Sequence, residues 1–312
     1  MSTLVGVDLG GTNIRAAVAT GEHTHEQPVH APTPAHEGPA AVIEAIARCA
    51  VEAANGRRID GLAIGIPGPL DPRRGIVYAA PALVGWEGMD AAAALRERLR
   101  CDVAIHNDAN LAGYAEWIAG AGRGTSDFVF VTASTGVGGA LILDGSLYSG
   151  RSGTAGEIGH MPVGADSPPC GEGHRGCLEG TASGTAIARA ARRAVERGES
   201  TSLAQLASDG VDAKAVQDAA HAGDAVAQRI FDHAGRTLGR AIGGLINLLS
   251  PEAVAVGGGL INAGELLFAP LRAGVTEMAF KVPAEQCRLV EAELGTDAGL
   301  TGAVAWVVKS FG

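Results

Sequence analysis

The stretch LVGVDLGGTNIRAAVA, residues 4–19, decides the fold. Residues 4–8 predict a short apolar strand, 10–13 a tight turn and 14–20 a second strand, so the pair forms a hairpin. The segment VFVTASTGVGGALIL, residues 129–143, repeats the order of apolar strand, glycine–threonine turn and apolar strand. This repetition predicts two domains that are built from the same structural unit.

Helical and strand patterns alternate along the rest of the chain. Residues 39–54 predict a helix with Val42, Ile43, Ile46 and Val51 as its buried stripe. Further strands are predicted at 62–66, 103–105, 253–256 and 288–291, and further helices at 90–99, 111–118, 183–197, 201–208, 212–221, 224–249, 260–277 and 301–309. This alternation is typical of the α/β class.

The chain has 312 residues, which suits two domains of ordinary size. We predict a smaller N-terminal α/β domain over residues 1–110, with the last helix, 300–312, packed on it. A larger C-terminal α/β domain is predicted over residues 111–299. Residues 145–182 are dense in glycine, histidine and cysteine, and a long irregular segment of this kind is usually functional or held by a metal.

Composition and charge exclude several classes of protein. The formal net charge is −10, which argues against a uniformly basic surface for nucleic acid or membrane lipid. Five scattered cysteines do not form a secreted disulfide framework. No uncharged apolar run reaches the roughly 18 residues of a membrane span. The first residues lack the basic region of a signal peptide, so we expect a cytoplasmic protein.

The glycine turns are candidate phosphate sites. Small residues with several backbone N–H groups can surround a polyphosphate, and DLGGTN and STGVGG both offer them. A third cluster, residues 257–259, lies between a predicted strand and helix, which is a common nucleotide-binding place. Asp8 ends its strand beside the first turn and could hold Mg²⁺. The alternative is that these are ordinary turns and that Asp8 only caps one.

Asp108 closes an apolar strand and opens a helix. An alcohol that attacks a phosphoryl group must lose its proton, and a carboxylate is a common acceptor. The alternative role for Asp108 is that of a helix N-cap.

The irregular segment carries a candidate structural zinc site. His160, Cys170 and Cys177 are ligands that zinc prefers, and a closed site needs a fourth. Glu172 and His174 both remain candidates for it, and two free thiols without a metal are the alternative. Glu157 and Glu179 flank these residues, and two carboxylates of this kind suit the hydroxyls of a polyol.

Taken together, these motifs resemble those of the ROK family, most closely its bacterial glucokinase-type members. The resemblance covers essentially the whole chain. The most specific part is the combination of EIGH at residues 157–160 with the cysteines and CLE of residues 170–179. The motifs that carry it are DLGGTNIRAAVA, GIPGPLD, APALVGW, NDANLAGYAEW, TASTGVGGALILDG, GTAGEIGHMPV and CGEGHRGCLEGTASG.

The resemblance implies an actin/hexokinase-like fold (ribonuclease H-like) of two α/β domains with a central cleft. It implies ATP- and Mg²⁺-dependent phosphorylation of a hexose hydroxyl, with Asp108 as general base. The sugar-binding residues it implies are Gly68, Asn107, Asp108, Glu157, His160 and Glu179. The residues it implies for ATP and Mg²⁺ are Asp8, Gly10, Gly11, Thr12, Thr135, Gly136, Gly258 and Gly259. His160 would place one ring nitrogen on zinc and the other on a sugar hydroxyl.

The sequence departs from the family pattern at two positions. The family zinc segment usually reads C-x-C-G-x-x-G-C, and Glu172 replaces its middle cysteine. Ala82 stands where the family usually has asparagine, in a segment that lies near the sugar in relatives. Both changes bear on ligand binding and sugar preference.

Three functions follow from the resemblance. The first is a hexose kinase, with glucose preferred and N-acetylmannosamine or N-acetylglucosamine as alternatives, and with ATP or polyphosphate as donor. The second is a sugar-responsive repressor, which we do not expect because only seven residues precede Asp8. The third is a non-catalytic sugar sensor. Relatives suggest a homodimer or homotetramer, with hexose and ATP as partners and neither nucleic acid nor membrane.

Overall fold

The computed structural model describes residues 2–164, 167–170, 173–206 and 210–312. The strands are β1 Leu4–Leu9, β2 Asn13–Val18, β3 Val29–Pro32, β4 Gly61–Ile66, β5 Leu70–Asp71, β6 Ile76–Val77, β7 Met89–Asp90, β8 Asp102–Asn107, β9 Phe128–Ala133, β10 Val137–Leu143, β11 Ser146–Leu147, β12 Ala253–Gly257 and β13 Arg288–Glu291. The helices are α1 Pro39–Ala54, α2 Ala91–Leu99, α3 Asp108–Ala119, α4 Glu179–Ala182, α5 Gly184–Glu196, α6 Ala213–His221, α7 Ala225–Leu249, α8 Glu265–Met278, α9 Lys281–Gln286 and α10 Ala298–Phe311. Short 3₁₀ helices lie at Ile158–His160, Ser202–Gln205, Gly259–Ala263 and Gly295–Asp297.

Two five-stranded sheets have the same plan. The first has the order β3-β2-β1-β4-β8, in which β1 is antiparallel to β2 and parallel to β4. The second has the order β11-β10-β9-β12-β13, in which β12 is parallel to both β9 and β13. The predicted repetition of one structural unit is therefore present in the topology. A third, small sheet has the order β5-β6-β7.

The chain divides into two compact units. The first comprises residues 1–124, 140–156 and 293–312, and the second 125–139 and 157–292. Residues 111–124 and 140–156 therefore group with the N-terminal part, whereas the sequence predicted a boundary after residue 110. Part of the reason is that α3 packs against α10, which returns to the first unit.

Both faces of the first sheet are covered. The α1 helix begins at Pro39, with proline in its first turn, and ends at Ala54, after which the C-cap residue Asn55 has a left-handed φ of 49°. Its buried side includes Val42, Ile43 and Ile46. Val51, predicted to be buried, is 51% exposed. It lies nine residues after Val42, which is half a turn out of phase with that side of the helix.

The α10 helix packs on β1 and β4. Glycine makes this close contact possible, because a Cβ on Gly6 would lie 2.5 Å from the backbone nitrogen of Val304. A membrane span is not found among the helices of the described ranges, because none combines the length and apolar character that crossing a bilayer needs.

Candidate active site

The junction of β8 and α3 positions the predicted base. Asn107 ends β8 and caps α3, and its Oδ1 accepts a hydrogen bond of 2.9 Å from the backbone N–H of Asn110. Its Nδ2 donates to the carbonyl of Gly68 at 3.1 Å. One amide side chain thus fixes the helix start and attaches it to the Pro-Gly-Pro loop after β4.

Asp108 is the first residue of α3, and its Oδ1 accepts a hydrogen bond of 2.8 Å from the N–H of Ala109. The alternative role of Asp108 as N-cap is wrong, because Asn107 fills it. Gly65 lies against Asp108, and its Cβ position would be 3.4 Å from the Asp108 Cα. Asp108 is half-buried and stands at the N-terminus of α3.

Gly68 has a left-handed φ of +97°, and a Cβ there would lie 2.3 Å from the carbonyl oxygen of Ala79. Only glycine fits this contact. The chain can therefore pass close to Asn107 and present the Gly68 carbonyl to it.

Sequence reasoning missed His106, the residue before Asn107. It is 3% exposed, and its ring meets Trp306 edge-on with 4.8 Å between centroids. Its Nδ1 accepts from the N–H of Asn107 at 3.2 Å, so the proton of the neutral ring lies on Nε2, which faces Ser149 Oγ at 3.4 Å. Burial, followed by the charge of Lys309, lowers the pKa of His106 to about 4. An uncharged ring therefore supports the strand that ends at the predicted base.

The first glycine–threonine turn is closed by hydrogen bonds to its main-chain groups. The Gly10 N–H donates to the Asn13 carbonyl at 2.9 Å, and Thr33 Oγ1 donates to the Gly10 carbonyl at 2.7 Å. Gly11 and Thr12 are exposed. A Cβ on Gly11 would lie 3.1 Å from that of Ala82, so the residue that replaces the family asparagine packs beside this turn.

Asp8, predicted to serve Mg²⁺, forms an ion pair. Its Oδ2 accepts from Arg15 Nη2 at 2.6 Å and from Arg15 Nε at 3.1 Å. Arg15 also donates to the carbonyl of Thr296 at 2.6 Å. The hairpin register, which places Arg15 opposite Asp8, is the sequence signal that could have revealed this pair.

The second turn is held by residues that are distant in sequence. The N–H of Val137 donates to Glu179 Oε2 at 3.2 Å, and a Cβ on Gly136 would lie 2.6 Å from that oxygen. The N–H of Gly184, at the start of α5, donates to the Ser134 carbonyl at 2.7 Å. The structure therefore places the predicted sugar ligand Glu179 against the predicted phosphate turn.

A cavity of about 590 Å³ opens beside the second turn and is lined by Thr135 and Gly259, both predicted nucleotide ligands. Gly258 is next to it and has a φ of +86°; its Cβ would lie 2.4 Å from the Ala133 carbonyl oxygen. The lining also includes polar residues that sequence reasoning missed, namely Thr185, Arg192, Lys214, Gln217 and Asn262. These residues carried no motif, because the packing of helices in the second unit brings them together.

The predicted metal ligands come together. One ligand atom from each of His160, Cys170, His174 and Cys177 lies within 4.8 Å of the others. His160 Nδ1 is buried without a hydrogen-bond partner in the described part of the chain, which fits a metal ligand. Of the two candidates for the fourth ligand, His174 is in the cluster, and Glu172 lies outside the described residues. Two imidazoles and two thiolates form a donor set that zinc prefers.

Glu157 precedes the 3₁₀ helix that ends at His160, and its carbonyl accepts from the His160 N–H at 3.1 Å. Gly159 packs on the strand after the second turn, where a Cβ would lie 2.1 Å from the Val137 carbonyl oxygen. Within the second unit, Glu157, His160 and Glu179 are therefore all attached to this turn or to the strand that leaves it.

Comparisons with known proteins identify the family. The family described as "ROK family" matches residues 4–310. The chain belongs to the ROK family. A ROK relative from Thermotoga maritima, named glucokinase, is 36% identical over 311 residues, with 99% of this chain and 98% of the relative covered.

Solved ROK structures agree. A ROK glucokinase from Streptomyces griseus in complex with glucose and AMPPNP superposes with a TM-score of 0.83 at 32% identity, covering 99% of this chain and 100% of that one. A ROK hexokinase from Thermus thermophilus gives a TM-score of 0.82 at 33% identity, with the same coverage. The predicted family and the two-domain actin/hexokinase-like α/β fold are confirmed.

Proposed function

We propose that this ROK protein is an ATP-dependent hexose kinase that converts glucose to glucose 6-phosphate. The observation that carries the proposal is the β8–α3 junction. There Asn107 takes the capping role, and the Asp108 carboxylate stands at the first residue of the helix. The relatives named glucokinase favour glucose over N-acetylmannosamine and N-acetylglucosamine.

In the proposed reaction, Asp108 accepts the proton of the sugar hydroxyl. The hydroxyl oxygen forms a bond to the γ-phosphorus of ATP, and the bond from that phosphorus to the leaving oxygen of ADP breaks. The dipole at the N-terminus of α3 interacts favourably with a negative charge on this carboxylate, which is the form that acts as a base.

The proposed sugar ligands are Gly68, Asn107, Glu157, His160 and Glu179. Asn107 donates a hydrogen bond to the Gly68 carbonyl, so the positions of both residues are set before the sugar binds. Carboxylates accept hydrogen bonds from hydroxyl groups, which suits Glu157 and Glu179 to neighbouring sugar hydroxyls.

Thr135, Gly136, Gly258 and Gly259 are the proposed nucleotide ligands in the second unit, and the cavity beside Thr135 and Gly259 is of a suitable size. In the first unit we propose Asp8, Gly10, Gly11 and Thr12 for the phosphates and Mg²⁺. Bound Mg²⁺ would neutralise charge on the transferred phosphoryl group. Asp8 would exchange part of its bond to Arg15 for this contact.

We propose a structural zinc ion held by His160, Cys170, His174 and Cys177. With a metal at His160 Nδ1, Nε2 of the same ring would carry the proton, and this N–H would donate a hydrogen bond to a sugar hydroxyl. Zinc would thereby fix the orientation of a sugar ligand.

We also propose that the protein works in the cytoplasm as a homodimer or homotetramer, without a nucleic-acid partner. The net charge of −10 disfavours binding to nucleic acid. Exposed apolar side chains near the ends of α7, α8 and α9 suit an interface between subunits; they are Leu248, Met278, Phe280 and Val282. Light scattering after size-exclusion chromatography would give the subunit number.

The experiment is a coupled assay of ADP release with glucose, mannose, N-acetylmannosamine and N-acetylglucosamine. Where polyphosphate is the donor no ADP is released, so the sugar phosphate would be detected directly instead. We expect the highest kcat/KM with glucose and ATP. A higher value for an acetylated sugar would assign the alternative kinase, and sugar binding without turnover of any sugar would assign the sensor.

A further inference from the structure

A second cavity of the second unit, about 530 Å³ in volume, lies between α5 and α7. Its wall includes Arg189, Arg193, Arg197 and Arg229. The first three follow one another at intervals of four residues, which places them on one side of α5 and its C-cap. In a chain of net charge −10, this is a local concentration of positive charge.

Neighbouring carboxylates neutralise part of this positive charge. Glu199 accepts hydrogen bonds from Arg197 at 2.6 Å and from Arg229. Asp232 pairs with Arg236, which lies outside the lining, at 3.4 Å. Arg193 is exposed, and within the described ranges its guanidinium has neither an ion pair nor a hydrogen bond. Its donors are available to a ligand.

Arg189 is fixed by the protein. It donates to the carbonyl of Pro169 at 3.2 Å and to that of Gly180 at 2.6 Å. Burial, followed by the charges of Arg193 and Arg192, lowers the pKa of Arg189. An arginine stays protonated in spite of such a shift. An anion beside Arg189 and Arg193 would therefore relieve repulsion between two guanidinium groups.

Apart from Thr181, Asp232 and His233, the rest of the wall is apolar. Ala186, Ala190 and Ala194 follow one another along α5, and Ile230 faces them from α7. The volume lies within the range of small-molecule sites, which is about 300–1,000 Å³. An inorganic anion would fill only part of this space, whereas an anion with an uncharged organic body would also contact the apolar wall.

We propose that this cavity binds a small organic phosphate, such as a sugar phosphate monoester, with Arg193 and Arg189 as ligands of the phosphate group. Guanidinium groups match phosphate because two parallel N–H groups bond two oxygens. None of the lining residues is among those proposed above for sugar, nucleotide or metal. The cavity is thus a binding site additional to those of the kinase reaction.

The test is calorimetric titration of the full chain with glucose 6-phosphate, and separately with tripolyphosphate and inorganic phosphate. Each titration is made with and without saturating glucose and AMPPNP. We expect glucose 6-phosphate to retain a site when both are present. Because a hydrogen bond between charged groups is lost, R193Q should weaken this site roughly tenfold or more.

R288Q is the matched control, since Arg288 is an exposed arginine of the same unit on β13. We expect it to bind like the wild type, and R193K to recover only part of the affinity lost in R193Q, because lysine keeps the charge but not the paired N–H donors. Equal affinities for R193Q and R288Q, or no saturable binding of any probe, would overturn the site. Tighter binding of tripolyphosphate than of glucose 6-phosphate would overturn the proposal that the ligand is an organic phosphate. The titrations without glucose and AMPPNP measure the site sensitive to Arg193 independently. Failure of glucose or AMPPNP to bind would therefore count against the kinase proposal and not against this site.

Discussion

The two glycine–threonine turns are similar in sequence but are held in place differently. The first is held by nearby parts of the same sheet: Asp8 pairs with Arg15 on the next strand, and Thr33, just after β3, donates to the Gly10 carbonyl. The second is held by Glu179 and by the start of α5, more than forty residues further along the chain. Similar local sequence thus produces the same strand-turn-strand unit, while long-range contacts fix the loop. The second turn should therefore depend on the metal cluster and the first should not.

Removal of the metal should have the largest effect, and it tests this difference directly. Cys177 lies two residues before Glu179. Loss of the metal should therefore let the Glu179 side chain move and break the hydrogen bond that it accepts from the Val137 N–H. We expect chelation, or H174A, to reduce zinc below the expected one ion per chain. Structural zinc contributes folding free energy outright. Amide exchange at Val137 should accelerate at least about tenfold.

The Gly10 amide, which donates within the first turn, is the internal control and should exchange as before. Equal acceleration at both amides would show that the turns do not differ in this way. Metal-free protein that is folded and fully active would refute the zinc proposal.

Substitution of Glu179 separates its two contacts. E179A removes the acceptor of the Val137 N–H and a proposed sugar ligand. Because two hydrogen bonds to a charged group are lost, we expect kcat/KM for glucose to fall roughly 100-fold or more, and KM for ATP to rise as well. E179Q keeps an oxygen acceptor, so KM for ATP should stay near the wild-type value. An E179A variant with altered sugar KM and unchanged ATP KM would show that the turn does not need this carboxylate.

Acid should weaken the first unit through His106. Its pKa is about 4 in the folded chain and near 6.5 when unfolded. Between these values the unfolded chain binds a proton that the folded chain does not. Stability is therefore lost as pH falls through this window, by about 2 kcal/mol at pH 5.

Urea unfolding at pH 7.5 and pH 5 would measure this loss, with H106Q for comparison. The variant should lose less stability over the same range, because it cannot bind this proton. An identical pH dependence in the two proteins would contradict the assignment.

The smallest effect is expected at Arg15. Both side chains of the Asp8–Arg15 pair are about four-fifths buried, with 19% and 20% exposed. R15Q should lower the free energy of unfolding by about 1–2 kcal/mol, because charged hydrogen bonds are lost. R58Q is the control, since Arg58 is 84% exposed and lies 4.0 Å from Asp60. Its effect should be below about 0.5 kcal/mol, and an equal loss in both variants would mean that the Asp8 pair has no special role.

The sequence was sufficient for most elements, because strands and helices follow from local patterns. The α1 helix has the predicted bounds, since proline at one end and Asn55 at the other mark them locally. Val51 was wrongly predicted to be buried. Nine residues after Val42 are two and a half helical turns, which puts Val51 on the opposite side of α1. The β10 strand begins at Val137, inside the sequence STGVGG that was predicted to be a turn, because glycine-rich sequence hides a strand end.

The site was less predictable, because its contacts join distant segments. The roles of Asn107 and Asp108 were distinguishable only from the cap geometry, since both residue types can cap a helix. Arg192, Lys214 and Gln217 appeared in sequence as ordinary helix surface. The sequence could not choose between His174 and Glu172 as fourth ligand, because spacing permits either; the structure places His174 in the cluster.

Turnover by D108N tests the central claim most directly. We expect kcat with glucose and ATP to fall at least about 100-fold, because the proton acceptor is removed, while glucose binding measured by calorimetry stays within about twofold. D102N, on an exposed residue of the same strand, should behave like the wild type. Near-normal turnover by D108N would contradict the assignment of Asp108 as the base.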